Sequence, residues 1–170
     1  MKTAASDLPV ATLLLGSNLG DRGGALAKAE RRLDALFGES AVERSEILET
    51  EAIGFDGPPF LNCILRYRCG IGPEELLDAC KCIERQMGRT DPPEYAADGQ
   101  RIYHNRIIDI DILFFGDLQL ESPRLTLPHP QVFSRPFVGE LLAMLRPETD
   151  QLRASRSTKV QLHSQGDNFL

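Results

Sequence analysis

Residues 106–116, RIIDIDILFFG, constrain this chain more than any other stretch. The isoleucines, leucine and phenylalanines are strand formers suited to burial, yet Asp109 and Asp111 interrupt them. In a strand, side chains alternate between faces, so these two carboxylates project from the same side. At ~3.3 Å of rise per residue their Cα atoms lie roughly 7 Å apart. Anions held that close repel one another unless positive charge sits beside them. Two readings follow. Either the pair marks the solvent side of an amphipathic strand, or something cationic completes the site.

Bulk properties narrow the choice. A chain of 170 residues suits one domain with a real core. The net charge of −6 argues against a nucleic-acid or anionic-membrane binder, although a small anion needs only a local group of arginines. The N-terminal apolar run is broken by Asp7 and Pro9, and is too short for a signal core or a bilayer span. Cys63, Cys69, Cys80 and Cys82 lack metal-ligand spacing and histidine neighbours, which fits free thiols in a reducing compartment. The expectation is a cytoplasmic monomer with one domain over residues 11–149. Residues 150–170 read as a polar C-terminal extension.

Residues 11–16 read as a buried first strand, ended by the turn residues Ser17 and Asn18. Asp21 is placed to cap a helix running from Arg22 to Phe37, with Gly38 as its stop. Residues 41–50 form a strand candidate, 54–59 a turn-rich loop, and 60–69 a clear alternating strand. Pro73, Glu74 and Glu75 open a second helix that closes at Gly88. Residues 90–105 form a long polar loop, a length that is often functional. After the Asp-bearing strand come a turn at Gly116 and Asp117, the segment LTLPHPQVFSRPF, and a short helix over about 138–145. Strand–helix–strand–strand–helix–strand is the split βαβ order. It predicts a ferredoxin-like α+β domain, an antiparallel sheet with helices on one face, plus extra C-terminal elements.

Paired carboxylates with oxygen donors suit Mg²⁺, which keeps several waters and takes one or two carboxylates plus substrate phosphates. No phosphate-binding glycine loop of the G-x-x-x-x-G-K-[ST] type occurs, so side chains must hold any phosphate. The candidates are Arg89, Arg101, Arg106, Arg124, Arg135 and His129, any one of which alone also reads as a solvated surface residue.

Five ordered segments, LLLGSNLGDR, ETEAIGFDGPPFLN, IERQMGR, RIIDIDILFFGD and LTLPHPQVFSRPF, resemble the 6-hydroxymethyl-7,8-dihydropterin pyrophosphokinases of folate biosynthesis. The resemblance runs from about residue 11 to residue 145. It implies transfer of the terminal diphosphate of ATP to the pterin hydroxymethyl group, with AMP released. By the same resemblance Asp109 and Asp111 hold two magnesium ions. Glu84, Arg106, Ile112, Arg124, Thr126 and His129 fall on the ATP side and Arg89 near the reacting phosphates; from the residues rather than the resemblance, Arg135 joins the ATP side, and Arg101 stands beside Arg89 and Arg106 as a catalytic candidate in place of the arginine absent at Asp91. Thr50, Ile53, Phe60, Asn62, Tyr103 and Phe137 fall on the pterin side.

These roles make chemical sense, each beside a plainer reading. A flat heteroaromatic ring stacks between phenylalanines, but Phe60 and Phe137 also suit simple core packing. Asn62, inside the apolar run FLNCIL, needs a hydrogen-bonding partner if buried, and a pterin edge offers one. His129 reads equally as phosphate donor or as base. Two departures stand out: Glu51 and Ala52 follow Thr50 where relatives often carry proline, and Asp91 stands where many carry a second arginine. A catalytically silent nucleotide or pterin sensor and a magnesium-dependent phosphohydrolase are the competing functions.

Overall fold

The computed structural model describes residues 4–89, 94–102 and 104–146. Tyr103, Asp91 and the extension from residue 147 onward lie outside them. Strand β1 (Val10–Ser17) leads into α1 (Arg22–Phe37), then β2 (Glu43–Arg44), β3 (Leu48–Thr50), β4 (Phe60–Arg68) and α2 (Pro73–Gln86). A two-stranded piece, β5 (Glu94–Tyr95) with β6 (Arg101–Ile102), precedes β7 (Asp109–Phe115). A second one, β8 (Leu120–Glu121) with β9 (Thr126–Leu127), is followed by α3 (Gln131–Ser134) and α4 (Pro136–Ala143).

Local chemistry accounts for the helix ends. The Gly24 N–H donates to the Asp21 carboxylate at 3.0 Å, so α1 starts where an N-cap is available. It stops at Gly38, whose φ of 72° is a left-handed conformation that glycine adopts without strain. Pro73 opens α2, with Glu74 and Glu75 in the first turn and Arg85 in the last, all three complementary to the helix dipole.

The main sheet is antiparallel, in the order β2–β4–β1–β7, with β3 also paired to β4. The strand expected over 41–50 is split into β2 and β3, with Ser45 between them. Its backbone N–H donates to the Ile64 carbonyl, and its hydroxyl accepts the Ile64 N–H at 2.8 Å. One side of the sheet carries Leu13, Leu15, Leu65 and Ile112 against Leu26, Ala29 and Leu33 of α1 and Leu76, Cys80 and Ile83 of α2.

The expectation that helices lie on one face is corrected. Leu14, Ile64, Leu113 and Phe114 form an apolar patch on the opposite face, and Val138, Leu141, Leu142 and Leu145 of the α4 region cover it. A one-residue bulge contributes. Leu13 pairs with Ile112 but Thr12 with Phe114, so Leu113 is the extra residue and β7 buries it and Phe114 in the same cluster. Arg66, fully buried on this face, is held by Glu43 at 2.6 Å and by the Thr12 hydroxyl. Because α4 covers only part of the face, the rest stays open, and that opening is where the aspartates point. No described helix is long and apolar enough to cross a membrane.

Burial also sets the thiol chemistry. Desolvation, reinforced by the Glu30 charge for Cys63 and by the Glu84 and Asp111 charges for Cys80, pushes both thiols up to about 12. Cys82 is only half-buried on the outer side of α2. Native-state alkylation at about pH 8 is expected to label Cys82 first, with Cys63 and Cys80 at least about tenfold slower until the chain unfolds. Mass spectrometry of the labelled peptides checks this, and equal labelling of Cys63 and Cys82 would contradict it.

Candidate active site

The open part of the sheet forms the floor of a cleft of about 530 Å³, within the range of small-molecule sites. Gly16 of β1 pairs on one side with Asn62 of β4 and on the other with Asp109 of β7. One row across three strands therefore reads Asn62, Gly16, Asp109. At ~4.8 Å between strands, the outer two Cα atoms are roughly 10 Å apart. The next row on this face reads Ile64, Leu14, Asp111. Asp109 and Asp111 share this face and both line the cleft, as alternation requires.

Gly16 keeps this floor low. A Cβ there would lie 2.9 Å from Asn62 Oδ1 and 3.6 Å from the Phe60 ring. Asn62 is 4% exposed, and its amide N–H donates to the Thr50 hydroxyl at 2.7 Å. Phe60 meets Phe55 edge-on, ring centroids 6.4 Å apart. Thr50, Ile53, Phe55 and Phe60 line this end, and Phe137 of α4 joins them from across the cleft.

The opposite end is charged. Arg89 Nη1 donates to Glu84 at 2.8 Å and to Asp109 at 2.5 Å, and Arg106 Nε lies 3.9 Å from Asp109. Glu84, 6% exposed, uses its other oxygen to accept the Ile110 N–H at 2.8 Å. It thereby satisfies a backbone donor on the outer edge of β7. Burial pushes the Glu84 carboxyl up, while Arg89 and the Ile110 N–H pull it back. Arg89 is thus one cationic partner of Asp109, and the aspartate pair still opens on a cavity.

Arg124, at the tip of the β8–β9 hairpin, is ion-paired to Asp78 and Glu74 of α2, which docks the hairpin over that helix. Thr126, His129 and Arg135 complete the wall. His129 Nδ1 accepts the Gln131 N–H at 3.1 Å, so in the neutral ring the proton sits on Nε2. Four arginines and Lys81 line one cleft in a chain of net charge −6, a local cationic concentration that suits a polyanion.

This geometry, acidic pair and arginines at one end and aromatics with a buried amide at the other, agrees with what sequence comparison finds. The pattern of 7,8-dihydro-6-hydroxymethylpterin-pyrophosphokinase (HPPK) matches residues 12–147. The chain belongs to the HPPK family. It is 39% identical over 142 residues to the 2-amino-4-hydroxy-6-hydroxymethyldihydropteridine pyrophosphokinase of Porphyromonas gingivalis, covering 82% of this chain and 92% of that one. It is 37% identical over 160 residues to the mitochondrial folate synthesis bifunctional protein of Pisum sativum, covering 93% of this chain and 29% of that protein. A solved HPPK-DHPS in complex with substrates superposes with a TM-score of 0.63 at 14% identity, which concerns the fold alone. The match covers 95% of this chain, which spans about half the length of that structure, 45% of it.

Of the residues singled out from sequence, Thr50, Ile53, Phe60, Asn62, Glu84 and Arg89 line the cleft. So do Arg106, Asp109, Asp111, Ile112 and Arg124, and Thr126, His129, Arg135 and Phe137. Ile112 does so as a buried residue, 1% exposed, within the core under α1 and α2. Arg101 lies on β6. Tyr103 is among the residues not described. Sequence reading missed Phe55, Lys81, His104 and the packing role of Gly16. An aromatic inside the glycine- and proline-rich loop was the available signal for Phe55.

Gly16→Ala is expected to destabilise the protein by about 1–3 kcal/mol in urea melts, because Asn62 is buried and cannot swing clear. Gly23→Ala, with nothing within 4 Å of its Cβ and a place in the first turn of α1, should be neutral or stabilising. The reverse order would contradict this packing.

Proposed function

We propose that the chain transfers the terminal diphosphate of ATP to the hydroxymethyl group of 6-hydroxymethyl-7,8-dihydropterin, releasing AMP, as one catalytic domain over residues 11–149 acting as a monomer. The observation that carries this is the two-ended cleft. Its charged end suits a triphosphate and its aromatic end a flat heterocycle, with Gly16 between. The order β2–β4–β1–β7, with α1 and α2 packed side by side, supports reading the core as ferredoxin-like, with α3, α4 and the β8–β9 hairpin as additions.

In this reaction the hydroxymethyl oxygen attacks the β-phosphorus of ATP, the bond from that phosphorus to the bridging oxygen of AMP breaks, and the hydroxyl proton is lost to solvent. Phe60 and Phe137 sandwich the ring, and Asn62, with its amide fixed by Thr50, reads a donor–acceptor edge. Ile53 closes the outer side. Holding both substrates in line is most of the catalysis for this class of chemistry.

Asp109 and Asp111 fit magnesium, because two same-face carboxylates open on a cavity large enough for water and phosphate oxygens. The described residues contain no group of three or more acidic, histidine or cysteine side chains suited to a metal, so water and phosphate oxygens would supply the remaining ligands. When bound, magnesium supplies charge neutralisation at the phosphates.

Arg89 and Arg106 then present guanidinium donors to the moving group, and Arg101, a residue of β6, is assigned to the same task on its sequence position. His129, protonated on Nε2, donates to phosphate rather than acting as base. Arg124, Arg135, Thr126, Ile112 and Glu84 form the nucleotide wall, and Tyr103, outside the described residues, is assigned to the pterin on family resemblance alone.

The purified protein should convert ATP to AMP, not ADP, only with both Mg²⁺ and the dihydropterin present. Asp109→Ala and Asp111→Ala should each lower kcat on the order of 10²- to 10³-fold. Both should keep the fold, since Arg89 retains Glu84. Phosphate release from ATP without pterin, or full activity in both variants, would overturn the assignment.

A further inference from the structure

Asn18 follows the last residue of β1 and is 1% exposed, with every side-chain donor in use. Its Nδ2 donates to the Pro58 carbonyl at 3.1 Å and to Asn105 Oδ1 at 3.0 Å. Its Oδ1 accepts the Arg106 N–H at 2.6 Å, while its own backbone N–H donates to the Arg106 carbonyl at 2.9 Å. These partners belong to two segments that never pair in the sheet. Pro58 sits in the loop leading to Phe60, at the aromatic end of the cleft; Asn105 and Arg106 lead to Asp109, at the charged end.

A further contact ties the segments together. Gly57 packs so closely on Asn105 Oδ1 and the Phe55 ring that a Cβ would overlap both. Arg22 holds the same loop from the other side, donating to the Pro59 carbonyl at 2.8 Å and pairing with Glu49 at 3.1 Å. A displacement of either loop therefore pulls on Asn18, and Asn18 cannot follow one without straining its bonds to the other.

We infer that Asn18 is a positioning residue that couples the two ends of the cleft, so that filling the polyphosphate end raises affinity at the heterocycle end. This rests on the two-substrate reading above. The physical basis is shared ordering: a ligand that fixes the 105–106 segment fixes the 57–59 loop through one buried amide, and the second ligand then meets a loop already in place. An aspartate at this position keeps an acceptor for the Arg106 N–H but turns carboxylate oxygen toward the Pro58 carbonyl and Asn105 Oδ1, so its one direct bond to the 57–59 loop is lost while the Arg106 bond to the other segment stays.

Calorimetry with a non-hydrolysable ATP analogue plus Mg²⁺, and with 6-hydroxymethyl-7,8-dihydropterin, tests this in both orders of addition. In the natural protein the nucleotide should tighten pterin binding by about fivefold or more. In Asn18→Asp that factor should fall to within about twofold of unity, while each ligand alone loses less than about threefold. Should that variant fail to fold, Asn105→Ala, altering an exposed side chain, removes one of the bonds and should reduce the factor by about threefold.

Hydrogen exchange gives a readout independent of ligand: peptides covering 53–57 and 104–108 should both exchange faster in Asn18→Asp, with α1 and α2 unchanged. Retained coupling in the folded variants, absent coupling in a natural protein that binds both ligands, or equal losses for each ligand alone would overturn the inference. A natural protein that binds neither ligand while its variant shows the paired exchange would instead sink the functional reading and leave the linkage itself standing.

Discussion

Everything at this site depends on how two carboxylates are tolerated on the open face of an otherwise apolar sheet. Asp109 and Asp111 stand where β7 emerges from the core, and the chain answers their charge with a short relay: Arg89 lies between Glu84 and Asp109, and Glu84 in turn fastens to the Ile110 N–H. Burying Glu84 is unfavourable in itself, which is why its carboxyl is pushed up. The arrangement is sustained because the same group satisfies an edge donor and an arginine at once. Arginine and divalent metal are thus two answers to one electrostatic demand, and a polyphosphate is a ligand able to engage both.

The second constraint is the absence of a side chain. Gly16 lies between Asn62 and Asp109 in one row across the sheet, so the amide of the aromatic end and the carboxylate of the charged end face each other over bare backbone. Covering helices would close this space, and α4 stops short of it, its apolar residues spent on Leu14, Ile64, Leu113 and Phe114. The cleft is therefore a consequence of unequal cover among the described residues: the long α1 and α2 on one face, the short α3 and α4 on the other. Loops from both sides complete it, and Asn18 at the end of the central strand is the amide to which both are tied.

Much of this was legible in the sequence, for identifiable reasons. Capping chemistry at Asp21, Gly38 and Pro73 is local, so α1 and the start of α2 could be read directly. Period-two alternation placed both aspartates on one face. What failed depended on distant partners. The division of 41–50 into β2 and β3 comes from Ser45 bonding to Ile64, and the helix on the second face follows from an apolar patch that only sheet assembly creates. Ser17 and Asn18 read as a plain turn because an asparagine after a strand usually is one. Its three side-chain partners lie forty to eighty-eight residues away. Arg89 as partner of Asp109 was equally out of reach, since twenty residues of loop and strand separate them.

The central proposal is electrostatic: Asp109 and Asp111 would hold a divalent ion together with substrate phosphate. Titrating a non-hydrolysable ATP analogue into the protein with Mg²⁺, and again in EDTA, measures it directly. The account predicts an affinity at least about tenfold weaker without the metal. Equal affinity in both conditions would mean that the arginines alone hold the nucleotide, and that the paired carboxylates have another purpose.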